Sequence, residues 1–336
     1  MTLKIGFIGA GKAGCSFGKY LTVCVTEAGT NNDGSDTSSC APQIEVAGYY
    51  SKSTESAAYA AKLTGSEQFE SLEYTAASCD LIFLTVPDGN IEEVFQELVS
   101  ESRKTGLSLE NKIFAHLSGS LSSNILSAPV DPGISNNIDN SSVTDGFKVF
   151  SLHPACSIPN KTDAWQGLKD AVFVYEGSDE CRKLIEPLLD TMGNRIGSID
   201  PYNKTLYHAA CVFLSNLGVG LAYEGQRLLE SCGLEPEVSN AFFKTLFLGN
   251  AKNVAENGPV AALTGPAERN DVAVVDKHAK ELSRRHEELQ LRIYLNLTET
   301  LTKIAEEKHP DRKYKKLKSL LLKYKLKYHL RANSPF

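Results

Sequence analysis

Short apolar runs alternate with helical periodicity along the first 200 residues of the chain. The runs are rich in β-branched side chains, which is typical of strands buried on both faces of a sheet. Strands are predicted at residues 3–8, 44–50, 80–86, 112–117, 147–152 and 171–175. Helices are predicted after most of them, at residues 15–28, 54–63, 72–78, 91–104 and 180–192. This order indicates an α/β fold with a doubly wound parallel sheet.

After residue 200 the chain shows helical periodicity alone. Asp200 can cap a helix, Pro201 fits its first turn, and Gly233 can end it in a left-handed conformation. One long buried helix is therefore predicted over Asp200–Gly233. Its apolar face comprises Leu206, Ala210, Phe213, Leu214, Leu217 and Leu221. Further helices are predicted at residues 235–257, 272–285 and 286–309.

The first predicted strand leads directly into a glycine-rich turn. The turn has the pattern G-x-G-x-x-G and consists of Gly9, Ala10, Gly11, Lys12, Ala13 and Gly14. Between a strand and a helix, its glycines permit the tight turn, the approach of a diphosphate to the backbone and close helix packing. The helix N-terminus attracts the phosphate charge. The motif predicts a dinucleotide site, and a glycine-rich turn without a ligand is the alternative.

The end of the second strand usually decides which dinucleotide is bound. NAD-binding chains place an Asp or Glu there to hydrogen-bond the ribose hydroxyls. This chain has Ser51, Lys52 and Ser53 instead, and a cation between hydroxyls suits the 2′-phosphate of NADP. We therefore predict NADP as the cofactor. The alternative is a solvated Lys52 beside a Ser53 that caps the next helix.

Polar residues follow several of the predicted strands. In a parallel sheet the strand ends meet at one edge, where ligands bind. The residues at these ends are Val86, Pro87, Asp88, His116, Ser118, Gly119 and His153. All but His153 are predicted to contact the cofactor, and His153 is a candidate catalytic residue. The spacing of the histidines gives no metal-ligand pattern, so no metal site is predicted.

The long predicted helix carries a polar line opposite its apolar face. Lys204, His208 and Ser215 lie on this line. Lys204 or His208 could donate a proton to a reduced substrate, and Ser215 could bind a polar group of it. Arg269, in a later loop, could clamp a carboxylate. The alternatives are a solvated lysine, a core histidine, and an Arg269 that pairs with Glu268 while Asp271 caps a helix.

The sequence divides into three parts on these patterns. Residues 1–199 are predicted to form a Rossmann-type NADP-binding domain, with polar insertions at 29–43 and 130–146. Residues 200–308 are predicted to form an all-helical substrate and dimerisation domain, and residues 309–336 a basic tail. A homodimer is expected from the apolar helices of the second part.

Charge separates the tail from the remainder of the chain. The tail has nine Lys and Arg and one Asp, so a net charge of −6 for the whole chain leaves −14 for the rest. An acidic body argues against nucleic-acid binding. Leu317, Leu320, Leu321, Tyr324 and Tyr328 follow helical spacing in the tail. This helix is expected to pack on the protein's own acidic surface or its dimer mate; an anionic membrane or nucleic acid is the alternative.

Targeting and redox signals are absent from the sequence. No run reaches the ~18–20 apolar residues of a membrane span, and the first residues do not resemble a signal peptide. The eight cysteines show no C-x-x-C pair. We therefore expect reduced thiols and a cytoplasmic protein without an integral membrane segment.

Several motifs together resemble a known family. They are GFIGAGKAG, YYSKS, LTVPD, HLSGSLSS, LHPACSI, KTLYHAACVFLSN and LTGPAERND. The pattern is similar to NADP-binding Rossmann oxidoreductases with a helical C-terminal domain of unknown function, family 2520. These resemble pyrroline-5-carboxylate reductase and ketopantoate reductase. The resemblance implies a C-terminal domain like that of 6-phosphogluconate dehydrogenase.

The motifs and the resemblance predict an NADPH-dependent oxidoreductase that reduces a small oxo- or imino-acid. The resemblance makes ketopantoate the leading candidate substrate. Two alternatives remain at this point: a non-catalytic NADP-binding module that senses redox state, and a deazaflavin-dependent NADP reductase.

Overall fold

The computed structural model of the protein describes residues 2–30, 43–126 and 146–332. Nearly all of both predicted insertions, 29–43 and 130–146, lies outside these described residues. The chain divides into two compact units, one ending at Phe213 and the other beginning at Leu214.

The first unit is built on one eight-stranded sheet. Its strands are β1 (Leu3–Ile8), β2 (Ile44–Tyr50), β3 (Glu67–Gln68), β4 (Leu81–Leu84), β5 (Ile113–His116), β6 (Lys148–Pro154), β7 (Val172–Gly177) and β8 (Arg195–Ser198). They lie in the order β3-β2-β1-β4-β5-β6-β7-β8. The first six are parallel, and their order is that of a doubly wound dinucleotide-binding sheet. The predicted fold class is confirmed.

Helices cover both faces of this sheet. They are α1 (Lys12–Thr30), α2 (Thr54–Thr64), α3 (Leu72–Ser78), α4 (Asp88–Thr105) and α5 (Asp179–Thr191). Alternate residues of β4 enter different cores. Leu81 and Phe83 pack with residues of α1 and α5, whereas Ile82 and Leu84 pack with residues of α3 and α4. Because both faces of the strand are buried, its sequence is continuously apolar.

One strand direction differs from the prediction of a parallel sheet. β7 runs antiparallel to β6, and β8 is parallel to β7. The connection between β6 and β7 contains only a short 3₁₀ helix (Ala164–Asp170), whereas a parallel crossover usually contains an α-helix. The antiparallel register places Ser151 opposite Glu176. β3 and β8 were not predicted, because both are short and mostly polar.

The long helix predicted over Asp200–Gly233 is wrong as a single element. Its ends are as expected, since Asp200 accepts a hydrogen bond from Tyr202 N and Gly233 has φ +87°. A 3₁₀ turn (Pro201–Asn203) leads into α6 (Lys204–Leu214), and Ser215 then breaks the helix with φ −120° and ψ −80°. Helix α7 (Asn216–Ser231) follows.

The apolar face predicted for this segment is not buried within the chain. Leu206, Phe213 and Leu214 are 72, 70 and 90 % exposed, and no residue of α7 is buried. Among the described residues, Pro201–Ser231 is the stretch with the length and apolar composition that a membrane-crossing helix would need. Length and composition alone are weak evidence for such a role, and the apolar surface needs another explanation.

The second unit is entirely helical over its described residues. Besides α7 it contains α8 (Pro236–Phe242), a π-helical turn (Phe243–Phe247), α9 (Leu248–Ala262), α10 (Val272–Arg284), α11 (Glu288–Lys308) and α12 (Lys315–Ala332). Gly258, with φ 77°, kinks α9. The π-helical turn divides the single helix that was predicted over residues 235–257.

The basic tail forms α12, which packs against α10 and α11. Leu317, Leu321 and Tyr324 are buried in a core that these helices share. Lys318 pairs with Glu306 of α11 at 2.6 Å, and Lys325 pairs with Glu299 of the same helix. Two lysines of the tail thus pair with carboxylates of the same unit. The side chain of Tyr328 lies outside the described residues.

Candidate active site

The glycine-rich turn is shaped by its packing against the end of β4. Gly9 has φ +107°, and a Cβ there would lie 2.6 Å from Val86 N. Thr85 Oγ1 donates a hydrogen bond to Gly9 O at 2.6 Å. A Cβ at Gly14 would lie 2.4 Å from the same hydroxyl. The first and third glycines are therefore required by close approach within the protein.

The second glycine has a different explanation. A Cβ at Gly11 would meet only one described atom within 4 Å, Thr85 O at 3.6 Å. Packing therefore leaves room for a side chain at Gly11, whereas close approach of a ligand to the backbone would not. Helix α1 begins at the next residue and has no acidic residue in its first turn. The turn fits the diphosphate of a dinucleotide.

A cleft opens beside this turn. The predicted residues that line it are Gly9, Ala10, Gly11, Ser51, Lys52, Val86 and Pro87. Lys12 and Ala13 lie in the first turn of α1 and do not line the cleft. Ser53 caps α2 by accepting a hydrogen bond from Ser56 N at 3.2 Å, which is the structural alternative considered for it.

The cleft also contains charged and polar residues that sequence reasoning missed. Asn90 and Glu97 come from α4, and Lys161 comes from the connection between β6 and β7. Asn90 follows the predicted strand end at Val86 by one helical turn, and this spacing could have indicated that it belongs to the cleft. No motif surrounds Lys161, so only the tertiary structure brings it to the cleft.

Asp88 and Ser118 hold each other at neighbouring strand ends. Asp88 Oδ2 accepts hydrogen bonds from Ser118 Oγ at 2.7 Å and from Ser120 Oγ at 3.0 Å. These bonds close the turn that contains Gly119. A Cβ at Gly119 would lie 2.7 Å from His208 Nδ1 and 2.8 Å from His153 Nε2. Gly119 is thus explained by the close approach of two imidazole rings.

His116 is completely buried at the end of β5. Its Nδ1 accepts a hydrogen bond from Ser118 N at 3.2 Å, and its Nε2 lies 3.2 Å from Ser122 O. The ring is thereby assigned as the neutral tautomer that donates from Nε2. Burial lowers the pKa of His116 to about 4. The structure gives this histidine a positioning role in the turn, and it does not line the cleft.

A buried polar row crosses three strands at one level of the sheet. His116 of β5 lies beside Ser151 of β6, which lies beside Glu176 of β7. Glu176 is 1 % exposed and accepts hydrogen bonds from Ser123 N at 2.7 Å, Ser123 Oγ at 2.8 Å and Ser122 Oγ at 3.2 Å. Sequence reasoning missed Ser151, which lies inside the strand predicted at residues 147–152, and it missed Glu176, although this residue directly follows the strand predicted at residues 171–175.

Lys204 joins α6 to this row. It is the only buried residue of α6, at 2 % exposure, and its Nζ donates to Ser151 Oγ at 2.5 Å. Burial lowers the pKa of Lys204 to about 8, against the opposing effect of the Glu176 and Asp88 carboxylates. The ammonium is therefore a charge fixed inside the first unit.

His153, Tyr207 and His208 form a second cluster on the same elements. His153 Nδ1 and Tyr207 Oη are hydrogen-bonded at 2.7 Å, and the two imidazole rings lie 6.3 Å apart. Burial, with the charges of Lys204 and His208, lowers the pKa of His153 to about 4. His208 Nδ1 is buried and has no hydrogen-bond partner in the described part of the chain. Tyr207 was missed, although it follows Lys204 by one helical turn.

Ser215 and Arg269 belong to the second unit. The break at Ser215 removes it from the predicted helical line, and its Oγ donates to Asn216 Oδ1 at 2.9 Å. Arg269 is exposed. Glu268 pairs with His309 and Arg312 rather than with Arg269, and Asp271 caps α10 by accepting from Val274 N.

Family comparisons agree with this geometry. Residues 4–111 match the family described as NADP oxidoreductase, coenzyme F420-dependent, and residues 171–301 match domain of unknown function 2520. The first part of the chain thus matches an NADP oxidoreductase family and the later part matches the family-2520 domain. The predicted family resemblance is confirmed, and no curated protein matches the chain significantly.

Solved structures show the same fold as this chain. A candidate NADP oxidoreductase from Bacteroides fragilis is 21 % identical, with a TM-score of 0.61 over 90 % of this chain and 98 % of that one. A Thermotoga maritima protein is 24 % identical over the same shares, with a TM-score of 0.60. An imine reductase from Pseudomonas sp. is 16 % identical over 91 % and 98 %, with a TM-score of 0.54.

Acidification should destabilise the protein through His116. Its pKa in the folded protein is about 4, below the ordinary 6.5, so the unfolded chain takes up a proton first as the pH falls. The contribution of neutral His116 to the free energy of unfolding is fully present above pH 6.5 and is lost as the pH falls toward 4. Between pH 7 and 4.5 the loss is about 2–3 kcal/mol. Urea unfolding at both pH values should show this loss reduced in His116→Gln.

His286→Asn is the matched control, because His286 is exposed and should leave the pH dependence of unfolding unchanged. An equal loss of stability in the wild-type protein and His116→Gln would contradict this role of His116.

Proposed function

We propose that this protein is an NADP-dependent oxidoreductase that reduces the carbonyl or imine of a small oxo- or imino-acid with NADPH, ketopantoate being the leading candidate. One observation carries the proposal. A cluster of imidazoles and a buried ammonium stands near the strand ends of a sheet with the dinucleotide-binding strand order, beside the turn that contains Gly119. The imine reductase of the same fold supports this substrate class by analogy.

Reduction needs a hydride, a proton and a charge that favours the negative charge developing on the substrate. A bound nicotinamide cofactor supplies the hydride. His208 is the proton donor in this proposal, because it is only half-buried and its Nδ1 has no protein partner in the described residues. His153, hydrogen-bonded to Tyr207, positions the substrate beside it.

The burial of Lys204 changes its role from the one first expected. An ammonium that is 2 % exposed and bonded to Ser151 does not touch a substrate in this conformation. It acts as a fixed positive charge behind the imidazoles, which stabilises negative charge in a low-dielectric site. Ser215 and Arg269 remain proposed contacts for the polar and carboxylate groups of the substrate.

The family description supports a second candidate function. Coenzyme F420 is a deazaflavin, and the matched family is described as dependent on it. In that case the reaction would be hydride exchange between NADP and the deazaflavin. Turnover only when the deazaflavin is supplied would favour this function over reduction of an oxo- or imino-acid. Tight NADPH binding with no turnover under any condition would favour a redox sensor.

Loss of NADPH absorbance with a panel of oxo- and imino-acids tests the reductase proposal. His208→Gln should lower kcat by roughly 10²–10⁴-fold while NADPH binding persists, because a proton donor acts only in the reaction.

The rate should fall as the pH rises through about 8, where Lys204 loses its charge. Lys204→Met should abolish this fall in the pH–rate profile.

Lys183→Met is the matched control for Lys204→Met, because Lys183 is exposed on α5. A kcat of His208→Gln equal to that of the wild-type protein would exclude His208 as the proton donor.

The preference for NADPH over NADH is proposed from Lys52. It lines the cleft beside Ser51, with no carboxylate at the end of β2. Lys52→Asp should weaken NADPH binding and leave NADH binding equal or stronger, because a carboxylate repels the 2′-phosphate and accepts from ribose hydroxyls. Fluorescence titration of both cofactors measures this. Unchanged affinities in the variant would rule out Lys52 as the 2′-phosphate ligand.

A homodimer is proposed from the exposed apolar residues of α7. The first half of α7 exposes Leu217, Val219, Leu221 and Tyr223, and a contiguous exposed apolar patch is typical of an interaction surface. Glu224, Arg227 and Glu230 in its second half do not suit a membrane, so a second copy is the occupant. Sedimentation velocity should show a dimer, and Val219→Glu, at a 70 % exposed position, should yield folded monomers. A monomeric wild-type protein would overturn the proposal.

A further inference from the structure

Lys161 stands outside every motif, yet its side chain lines the cleft with the glycine-rich turn. It belongs to the connection between β6 and β7, ahead of the 3₁₀ helix that begins at Ala164. This connection is the one that returns the chain antiparallel to β6. A lysine at the cleft therefore comes from an element that the dinucleotide-binding motif does not include.

The connection is held rigidly at the preceding residue. Asn160 Oδ1 accepts hydrogen bonds from Thr162 N at 2.9 Å, Thr162 Oγ1 at 3.0 Å, Asp163 N at 3.1 Å and Ala164 N at 3.3 Å. Asn160 O accepts a hydrogen bond from Ser16 Oγ of α1 at 3.4 Å. The bonds to Asn160 Oδ1 fold the loop around this side-chain amide. The bond from Ser16 connects the loop to α1, the helix that follows the glycine-rich turn.

The charge of Lys161 reaches the beginning of α1. Burial raises the pKa of the Cys15 thiol, one turn into α1, and the Lys161 ammonium opposes that rise. Lys161 is only half-buried and makes no ion pair with another residue of the described chain. Glu97 of α4 lines the same cleft, but Lys52 and Lys161 together leave the cleft with a net positive charge. The ammonium is thus available to an anion at the helix N-terminus.

We propose that Lys161 binds the diphosphate of the dinucleotide, whereas Lys52 binds the 2′-phosphate. The proposal rests on the dinucleotide-binding part of the proposed function and is independent of the substrate. The diphosphate is common to NADPH and NADH, so Lys161 contributes affinity to both cofactors. Lys52 contributes only to the one that carries a 2′-phosphate. Lys161 therefore raises the affinity for both cofactors, and Lys52 determines the preference for NADPH.

The experiment compares NADPH and NADH binding to the full-length protein by calorimetry. Lys161→Met should weaken both cofactors by the same factor, roughly 10- to 100-fold, as expected for one charge-assisted hydrogen bond. Lys161→Arg should restore most of the affinity. Lys52→Met should weaken NADPH alone. The affinity of 2′-AMP, which lacks the diphosphate, should depend on Lys52 and not on Lys161.

Lys169→Met is the matched control, because Lys169 is exposed on the 3₁₀ helix after the same loop. Circular dichroism and thermal unfolding verify that each variant is folded. Affinities of Lys161→Met within twofold of the wild-type values would overturn the proposal, as would a loss confined to NADPH. Normal cofactor binding without any turnover would refute the reductase function and leave the role of Lys161 intact. A wild-type protein that binds neither cofactor would overturn both.

Discussion

The hydrogen bond between Lys204 and Ser151 is the constraint on which the candidate site depends. A buried ammonium is costly unless it is bonded and faces opposite charge. Ser151 bonds it at 2.5 Å, and the buried carboxylate of Glu176 lies next to Ser151 in the sheet. This requirement fixes the start of α6 against β6. The same contact places Tyr207 and His208, one turn further on, beside His153.

Two glycines serve opposite purposes along this edge of the sheet. Gly119 has no room for a side chain, because two imidazole rings approach its backbone closely. Gly11 has room within the protein, so a ligand best explains its lack of a side chain. Gly119 lets His153 and His208 pack closely together, and Gly11 keeps the backbone amides of the glycine-rich turn accessible. The proposed cofactor site and the imidazole cluster thereby occupy different positions along one edge of the sheet.

The antiparallel β7 has consequences for both parts of the site. Its register brings Glu176 beside Ser151, which supplies a carboxylate to the buried polar row. Its connection from β6 brings Lys161 to the cleft. A parallel strand in the same place would end at the opposite edge and would need a crossover helix. The antiparallel direction of β7 therefore supplies the Glu176 carboxylate to the buried polar row and the Lys161 ammonium to the cleft.

The sequence by itself determined the strand–helix order of the sheet, the glycine-rich turn and the cap at Asp200, because these depend on local periodicity and backbone conformation. It also pointed to Lys204, His208 and His153, which the structure brings together. Only the tertiary structure decided that β7 is antiparallel, that Ser215 breaks the helix, and that Glu176 and Lys161 belong to the site. Strand direction and long-range register leave no local pattern, since each depends on residues far away in the chain. Whether a lysine is solvated or buried depends in the same way on its distant partners.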